Sequence, residues 1–282
     1  MTDSKKSWAI IIPARYASKR FPGKPLSIIN GKSLIEHTIL AGVAAKQELD
    51  GCLGVFVATD DDRIKDHVET LTNPTSQGHV KVIMTSTSCE NGTERSAETL
   101  NHLNESGIFP DILINLQGDS LLTPARFITA LVKEMQSDPN VHVSTPTLRC
   151  DPITLKNFLE DARAGRVGGT TMTFSKNRNA LYFSKQIIPY LDPSIELGRE
   201  FKDQNDIPVF HHVGLYGYTP QGLRTYKDLN IGPCETYEKL EQLRFLENDI
   251  PIRVVHVESK GEVFWEVNNP EDIDRVSPFL KK

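Results

Sequence analysis

The sequence predicts a doubly wound α/β fold whose mainly parallel sheet gains antiparallel strands in the second half of the chain. Two observations lead there. Up to about residue 120, short and nearly continuous apolar runs alternate with helix-like stretches; after about residue 140, polar and apolar positions alternate within the runs and aromatic residues multiply. A strand covered on both faces needs apolar side chains at almost every position, whereas a strand with one wet face needs them at every second one. The first rhythm is that of repeated βαβ units, whose ligands sit beyond the carboxyl ends of the strands.

The first-half strands are WAIIIP (8–13), GVFVAT (54–59), VKVIMT (80–85) and DILINLQGD (111–119). Between them, residues 33–46 carry Leu34, Ile35, Thr38, Ile39 and Val43 at helical spacing. Asp60 or Thr59 is placed to cap a helix over 61–70, and 93–104 fits a third. In the second half, VHVSTPTL (141–148), TTMTFS (170–175), NALYFS (179–184) and HHVGLYGYTP (211–220) read as strands, with a helix opened by Asp151 as N-cap and Pro152 at its first position. Residues 188–209, with three prolines and many charges, read as a long exposed connection. CETYEKLEQLRFLEND (234–249) is strongly helical, IRVVHVE (252–258) is a strand, and NNPEDIDRV opens a last helix.

Composition bounds the function. The 282 residues are 38% hydrophobic and 24% charged, with a formal net charge of -5, as expected of an ordinary globular chain that forms one domain over 1–282. No run approaches the ~18 apolar residues of a membrane span, and MTDSKKSW offers no apolar core for a signal peptide, so the expected location is cytoplasmic, without membrane partners. Cysteines 52, 89, 150 and 234 are too far apart for CxxC pairs and are expected as reduced, mostly buried thiols. Slight acidity argues against a nucleic-acid binder.

Against that acidic background, Arg15, Lys19, Arg20 and Lys24 crowd into ten positions just after the first strand. Such cations repel one another unless an anion joins them, and a Gly- and Pro-containing loop at a strand's carboxyl end suits phosphate. The two familiar phosphate loops do not fit. GxGxxG is absent, and GxxxxGK[ST] fails because Pro25, which has no N–H, follows Lys24. Asp119 ends the apolar run ILINLQGD, where it suits a hard cation, and Gly118 before it lets a ligand come close.

IPARYASKRFPGKPL resembles the signature of the cytidylyltransferases that activate 3-deoxy-manno-octulosonate (Kdo), and more loosely that of sugar nucleotidyltransferases. The resemblance continues in order through VATDDDRI, NGTERSAE, INLQGD, ALYFSKQIIP, HHVGLYGY, YEKLEQLR and NNPEDIDRV. It implies a Rossmann-like nucleotidyltransferase fold with a smaller antiparallel lobe, about 170–220, that helps to form a homodimer. It also implies transfer of CMP from CTP to a sugar acid with release of pyrophosphate, dependent on Mg²⁺, for lipopolysaccharide or a related glycan. Attack on the α-phosphorus concentrates charge there and on the departing pyrophosphate, so catalysis is mostly positioning and cation stabilisation.

On this resemblance Arg15, Lys24 and Asp119 are catalytic; Arg15, Ser18, Arg20, Lys24, Thr93, Arg95 and Gln117 bind the nucleotide; and Asp119 with Asn268 holds the metal. Arg15 has the fork for two phosphate oxygens, and Lys24 is a compact point charge. Thr93 is equally placed to be a helix N-cap, and Lys19 to be a solvated charge. Sugar-acid contacts fall on Lys185, His212, Tyr216, Glu238, Glu241 and Gln242, the last three sharing a helical face. Tyr216 as core and Glu241 as a solvated helix residue are the plainer alternatives.

The chain also departs from the family pattern. Ser120 and Leu121 stand where an acidic residue and proline are usual. Asn268 stands where the family has its second metal-binding Asp, leaving Glu266 or Glu271 as other sources of charge, while Asn269 suits a helix cap before Pro270 with Asp272 completing a capping box. Lys185 replaces an Arg, and VGGTTMTF (167–174) lacks the usual lysine. The drift points to a modified acceptor such as an amino-substituted Kdo. Another nucleotide or acceptor, or a weakly active nucleotide-binding relative, are the alternatives.

Overall fold

The computed structural model describes residues 6–17, 21–71, 80–192, 195, 201, 203–262, 264–267, 270 and 272–280. The chain divides into two compact units, Met1–His142 with Gly214–Asp228 and Gly261–Lys282, and Val143–Val213 with Leu229–Lys260.

In the first unit, β1 (Trp8–Ala14) is buried at every residue. A small hairpin of β2 (Ile28–Ile29) and β3 (Lys32–Ser33) leads into α1 (Leu34–Glu48), where the Ser33 side chain accepts from Glu36 N at 3.2 Å as N-cap. Then come β4 (Cys52–Thr59), α2 (Asp62–Leu71), β5 (Val80–Met84), α3 (Gly92–Glu105), β6 (Ile112–Leu116) and α4 (Ala125–Ser137). The strands lie in the order β5, β4, β1, β6, all parallel. The continuous burial of β1 and β6 is what such a sheet requires of its central strands. Asp61 rather than Asp60 or Thr59 caps α2, its carboxylate taking Arg63 N at 3.0 Å. Asp60 is drawn elsewhere, as described below.

The second unit is built on β7 (Val143–Arg149), after which α5 (Pro152–Arg163) starts as expected, with Asp151 accepting from Thr154 N at 2.7 Å. Antiparallel β8 (Thr171–Phe174), β9 (Ala180–Ser184) and β10 (Phe210–His212) follow, β10 lying between β7 and β8. HHVGLYGYTP is two strands, not one. β10 belongs to the second unit, while β11 (Leu215–Tyr218) pairs antiparallel with β6 in the first and is followed by α6 (Pro220–Asp228).

The segment 234–249 also differs from expectation. It forms α7 (Pro233–Glu238) and α8 (Leu243–Glu247), broken at Lys239, whose φ is 55°. Two side chains fold the pair together. Arg244 makes two 2.7 Å bonds to Glu235, and the Glu247 carboxylate accepts from Cys234 N and Glu235 N, capping the start of α7. β12 (Arg253–Val257) then runs parallel to β7, and α9 (Asp272–Val276) closes the first unit.

The connection before β10 is not wholly exposed, since Ile207 and Val209 are fully buried; residues 193–194, 196–200 and 202 lie outside the described residues. All four cysteines are free, but only Cys150 is buried. No helix among the described residues is long and apolar enough to cross a membrane.

Candidate active site

The strand order itself creates the site. From β1 the chain passes through α1 to β4 on one side, and later returns through α3 to β6 on the other. The connection out of β1 and the one into β6 therefore lie on opposite sides of β1, the kind of switch point beyond which such sheets bind ligands at their carboxyl ends. Arg15 and the cationic loop follow β1; Gln117, Gly118 and Asp119 follow β6. Gly118 is required by the closeness of these two segments, since a Cβ there would stand 2.7 Å from the Pro13 carbonyl oxygen.

The loop after β1 is closed by Gly23, whose N–H donates to the Tyr16 carbonyl at 3.0 Å and whose φ of 69° excludes most side chains. The Arg63 guanidinium lies 3.3 Å from the centre of the Tyr16 ring. Pro25 falls within the short 3-10 turn Lys24–Leu26, where its missing N–H breaks no bond. Lys24 is thereby aimed at the end of β6. Its Nζ donates to Asp119 Oδ2 at 2.5 Å and to the Val267 carbonyl at 2.9 Å. Arg15 is exposed and donates to the Glu90 carbonyl at 3.3 Å. Ser18, Lys19, Arg20, Asn268, Asn269 and Glu271 lie outside the described residues.

The other nucleotide-site candidates are more enclosed. Asn91, not Thr93, caps α3, accepting from Glu94 N at 2.9 Å, while Glu94 accepts from Glu90 N. This box holds the carbonyl that Arg15 meets. Thr93 is fully buried with its hydroxyl 2.9 Å from the Tyr218 hydroxyl. Arg95 is 3% exposed, and its guanidinium donates to Asp60 at 2.9 Å and to the Thr85 hydroxyl. It thus ties α3 to the carboxyl ends of β4 and β5. Gln117 lies against the start of α3, where a Cβ on Gly92 would be 2.9 Å from its Nε2.

Sequence reasoning missed Asn115, which is 1% exposed with both amide atoms buried and no hydrogen-bond partner. A polar residue within the apolar run ILINL was the available signal. One departure from the family pattern, Ser120, and one alternative source of charge, Glu266, find structural partners. The buried Ser120 hydroxyl donates to the Gly214 carbonyl at 3.4 Å, and the Glu266 carboxylate accepts from Gly214 N at 2.8 Å. Both brace the residue that precedes β11. Tyr216 is 3% exposed and stacks on Tyr218, ring centroids 5.9 Å apart.

The remaining sugar-acid candidates belong to the second unit. Glu238 accepts from the Ser184 hydroxyl at 2.6 Å and from Lys185 N at 2.9 Å. His212 is 4% exposed, with Nε2 2.9 Å from the Thr145 hydroxyl and its ring edge-on to Phe183. Burial pushes its imidazole down to about 3, so it is neutral at physiological pH. Gln242 is also buried, its Nε2 without a partner. Because the helix breaks at Lys239, Glu238 ends α7, Gln242 stands just before α8 without a capping bond and Glu241 lies between, so the three do not share one helical face. Among the described residues, no three His, Cys, Asp or Glu side chains cluster so as to hold a metal.

Comparisons with known proteins identify the family. A family model described as cytidylyltransferase matches residues 9–252. The chain is 39% identical over 270 residues to the 3-deoxy-manno-octulosonate cytidylyltransferase of Maricaulis maris, covering 96% of this chain and 95% of the relative. It is also 39% identical over 264 residues to the 8-amino-3,8-dideoxy-manno-octulosonate cytidylyltransferase of Shewanella woodyi, covering 94% of each. A solved CMP:2-keto-3-deoxy-manno-octonic acid synthetase, in complex with CTP, superposes with a TM-score of 0.73 at 31% identity over 96% of this chain and 97% of that one. The inositol-1-phosphate CTP transferase of T. maritima, at 13% identity and a TM-score of 0.61 over 98% of this chain and 95% of that one, shares the fold. With a family model spanning most of its length and Kdo-activating relatives aligned nearly end to end, the chain belongs to the cytidylyltransferase family, among its 3-deoxy-manno-octulosonate members.

Proposed function

We propose that this protein transfers CMP from CTP to a Kdo-type 3-deoxy sugar acid, giving the CMP-sugar and pyrophosphate, a step that supplies activated sugar for lipopolysaccharide or a related glycan. The observation that carries the reading is the meeting of Lys24 with Asp119 where β1 and β6 end, with Arg15 following the end of β1 and reaching the Glu90 carbonyl. Two cations and one carboxylate at these strand ends support the reading of a site for a triphosphate and a hard cation. Arg15 grips phosphate oxygens through its fork, and Lys24 neutralises charge that accumulates as the pyrophosphate leaves.

The residues present fit Mg²⁺. Two oxygens, from Asp119 and Val267, already converge on a cation, the Lys24 ammonium, and oxygen donors are what a hard dication takes. In this reading Asp119 is the ligand and Asn268, outside the described residues, adds its amide oxygen. When bound, Mg²⁺ supplies electrostatic stabilisation of the charge on the transferring and leaving phosphates. The sugar acid is assigned to Lys185, His212, Tyr216, Glu238, Glu241 and Gln242. Support for a homodimer through about 170–220 comes from β9, which ends its sheet, whose backbone is engaged outward at Ala180 by the Ile252 carbonyl, and whose Leu181 beyond is 60% exposed.

Pyrophosphate release from CTP and Mg²⁺ with Kdo, and separately with its 8-amino analogue, tests the reaction and names the acceptor; the Shewanella relative gives the second sugar its place. Lys24→Ala and Arg15→Ala are each expected to cut turnover at least tenfold, about 1.4 kcal/mol of transition-state stabilisation, with the fold intact. Near-normal activity in both variants sinks the phosphate-loop reading. A monomer in sedimentation at micromolar concentration sinks the dimer.

A further inference from the structure

We infer that the Lys24 ammonium and a divalent cation are alternative occupants of one oxygen cradle, formed by the Asp119 carboxylate and the Val267 backbone carbonyl, so that metal entry frees Lys24 for the triphosphate. The inference rests on the reading of Asp119 as a metal ligand. Its geometric basis is that both oxygens point at a single nitrogen, Lys24 Nζ, at 2.5 and 2.9 Å.

The cradle does not depend on Lys24 for its shape. Val267 N donates to the Asp119 carbonyl at 3.4 Å, so backbone pairing brings the two segments together. Behind them, the fully buried Thr38 hydroxyl lies 3.2 Å from both the Gly118 and the Leu34 carbonyls and shares its proton between α1 and the turn that carries Asp119. When the ammonium leaves, the Val267 carbonyl and the Asp119 backbone therefore stay where they are, and the carboxylate has only to turn about its own side-chain bonds to meet the metal. A flexible four-carbon stem leaves easily; the cradle is the rigid partner.

Two cations cannot share this place. An ammonium in hydrogen-bond contact with Oδ2 would sit within a few ångströms of a metal on the same carboxylate, and like charges that close repel strongly away from bulk water. The described residues offer the dication one carboxylate and one carbonyl, fewer than the six oxygens it takes, so triphosphate and water oxygens must supply most of the rest. The displaced Lys24 needs a new anion, and the same triphosphate provides it. Metal and nucleotide consequently favour each other's binding, and by linkage the coupling is the same in both directions.

The test is Mn²⁺ binding to the full chain, followed by the paramagnetic resonance signal of free Mn²⁺, in wild type, Lys24→Met and Asp119→Asn. Without nucleotide, Lys24→Met is expected to bind Mn²⁺ at least tenfold more tightly than wild type, because the competitor is gone. CTP is expected to tighten Mn²⁺ binding in wild type by a larger factor than in Lys24→Met. Equal or weaker nucleotide-free binding by Lys24→Met overturns the inference, and so does undiminished binding by Asp119→Asn.

A second measurement needs no variant. Reductive methylation of the wild-type protein, with Lys24 followed by peptide mass spectrometry, is expected to label that amine several-fold faster when Mg²⁺ saturates the site without nucleotide, and to slow again when CTP is added. Unchanged labelling at Mg²⁺ saturation overturns the inference. Neither readout uses turnover. Competition without pyrophosphate release from any sugar acid would leave the cradle standing and remove the proposed function; turnover without competition would do the reverse.

Discussion

Replacing Gly118 by alanine adds one methyl group where the ends of β1 and β6 run close. The new Cβ would stand 2.7 Å from the Pro13 carbonyl oxygen, a backbone atom that cannot rotate away. Ordinary C···O contacts begin at about 3.3 Å, so the ends of β1 and β6 must part by roughly 0.6 Å. Overpacking of this kind typically costs about 1–3 kcal/mol. Pro13 lies two residues before Arg15 and Gly118 one before Asp119, so the strain moves these two groups apart; with a 1 Å misplacement costing on the order of 10²-fold, turnover should fall about tenfold. Urea unfolding followed by the fluorescence of Trp8 and Trp265 reads the first effect, and pyrophosphate release the second. Gly42→Ala is the control: its Cβ would meet Val55 and Ile10 at ordinary contact distances of 3.5 Å and more within α1, so it should be neutral or stabilising by up to about 1 kcal/mol. If Gly118→Ala unfolds like wild type and turns over normally, the close approach of the two strands is not what requires glycine.

His211 and His212 are buried, and desolvation pushes their imidazoles down from 6.5 to about 4 and about 3. The unfolded chain binds these protons first, so stability should be flat above pH 6.5 and fall as pH drops below it, by on the order of 1.4 kcal/mol per unit for each ring until its folded value is reached. Denaturation at pH 7 and pH 5 measures that slope, and a His212→Gln variant that keeps the full slope would refute the assignment. Arg95→Met leaves Asp60, only 17% exposed, without its partner, and should cost about 3 kcal/mol of stability. A large rise in the KM for CTP with unchanged stability would instead make Arg95 a nucleotide contact. Lys239→Gly relieves a left-handed residue and should stabilise by about 1 kcal/mol in thermal unfolding; destabilisation would show that the Lys239 side chain matters more than its backbone.

Most of the fold was legible because its signals are local. A strand buried on both faces must be almost wholly apolar, which is the pattern of WAIIIP and ILINL, and Asp151 followed by Pro152 sets a capping residue just before a preformed first turn. The 234–249 segment departs from its own pattern for the converse reason. Its helical periodicity is real, but Arg244 and Glu247 reach back to the start of α7, and contacts between residues nine to thirteen apart outweigh the local preference for one continuous helix.

The site divides along the same line. The sequence by itself determined which charged residues stand at the carboxyl edge of the sheet, since Arg15 and Asp119 each follow a strand and Lys24 a Pro-Gly turn. It could not determine which charges stay available. Arg95 reads as one more cation beside the nucleotide until Asp60 and Thr85 are seen around it, and Glu266 reads as a spare metal ligand until its carboxylate is found on Gly214 N. Only the tertiary structure decides such pairings, because the interaction energy of a charge depends on distance and on exclusion of water, and residues 35 or 52 positions apart acquire both only when the sheet closes around them.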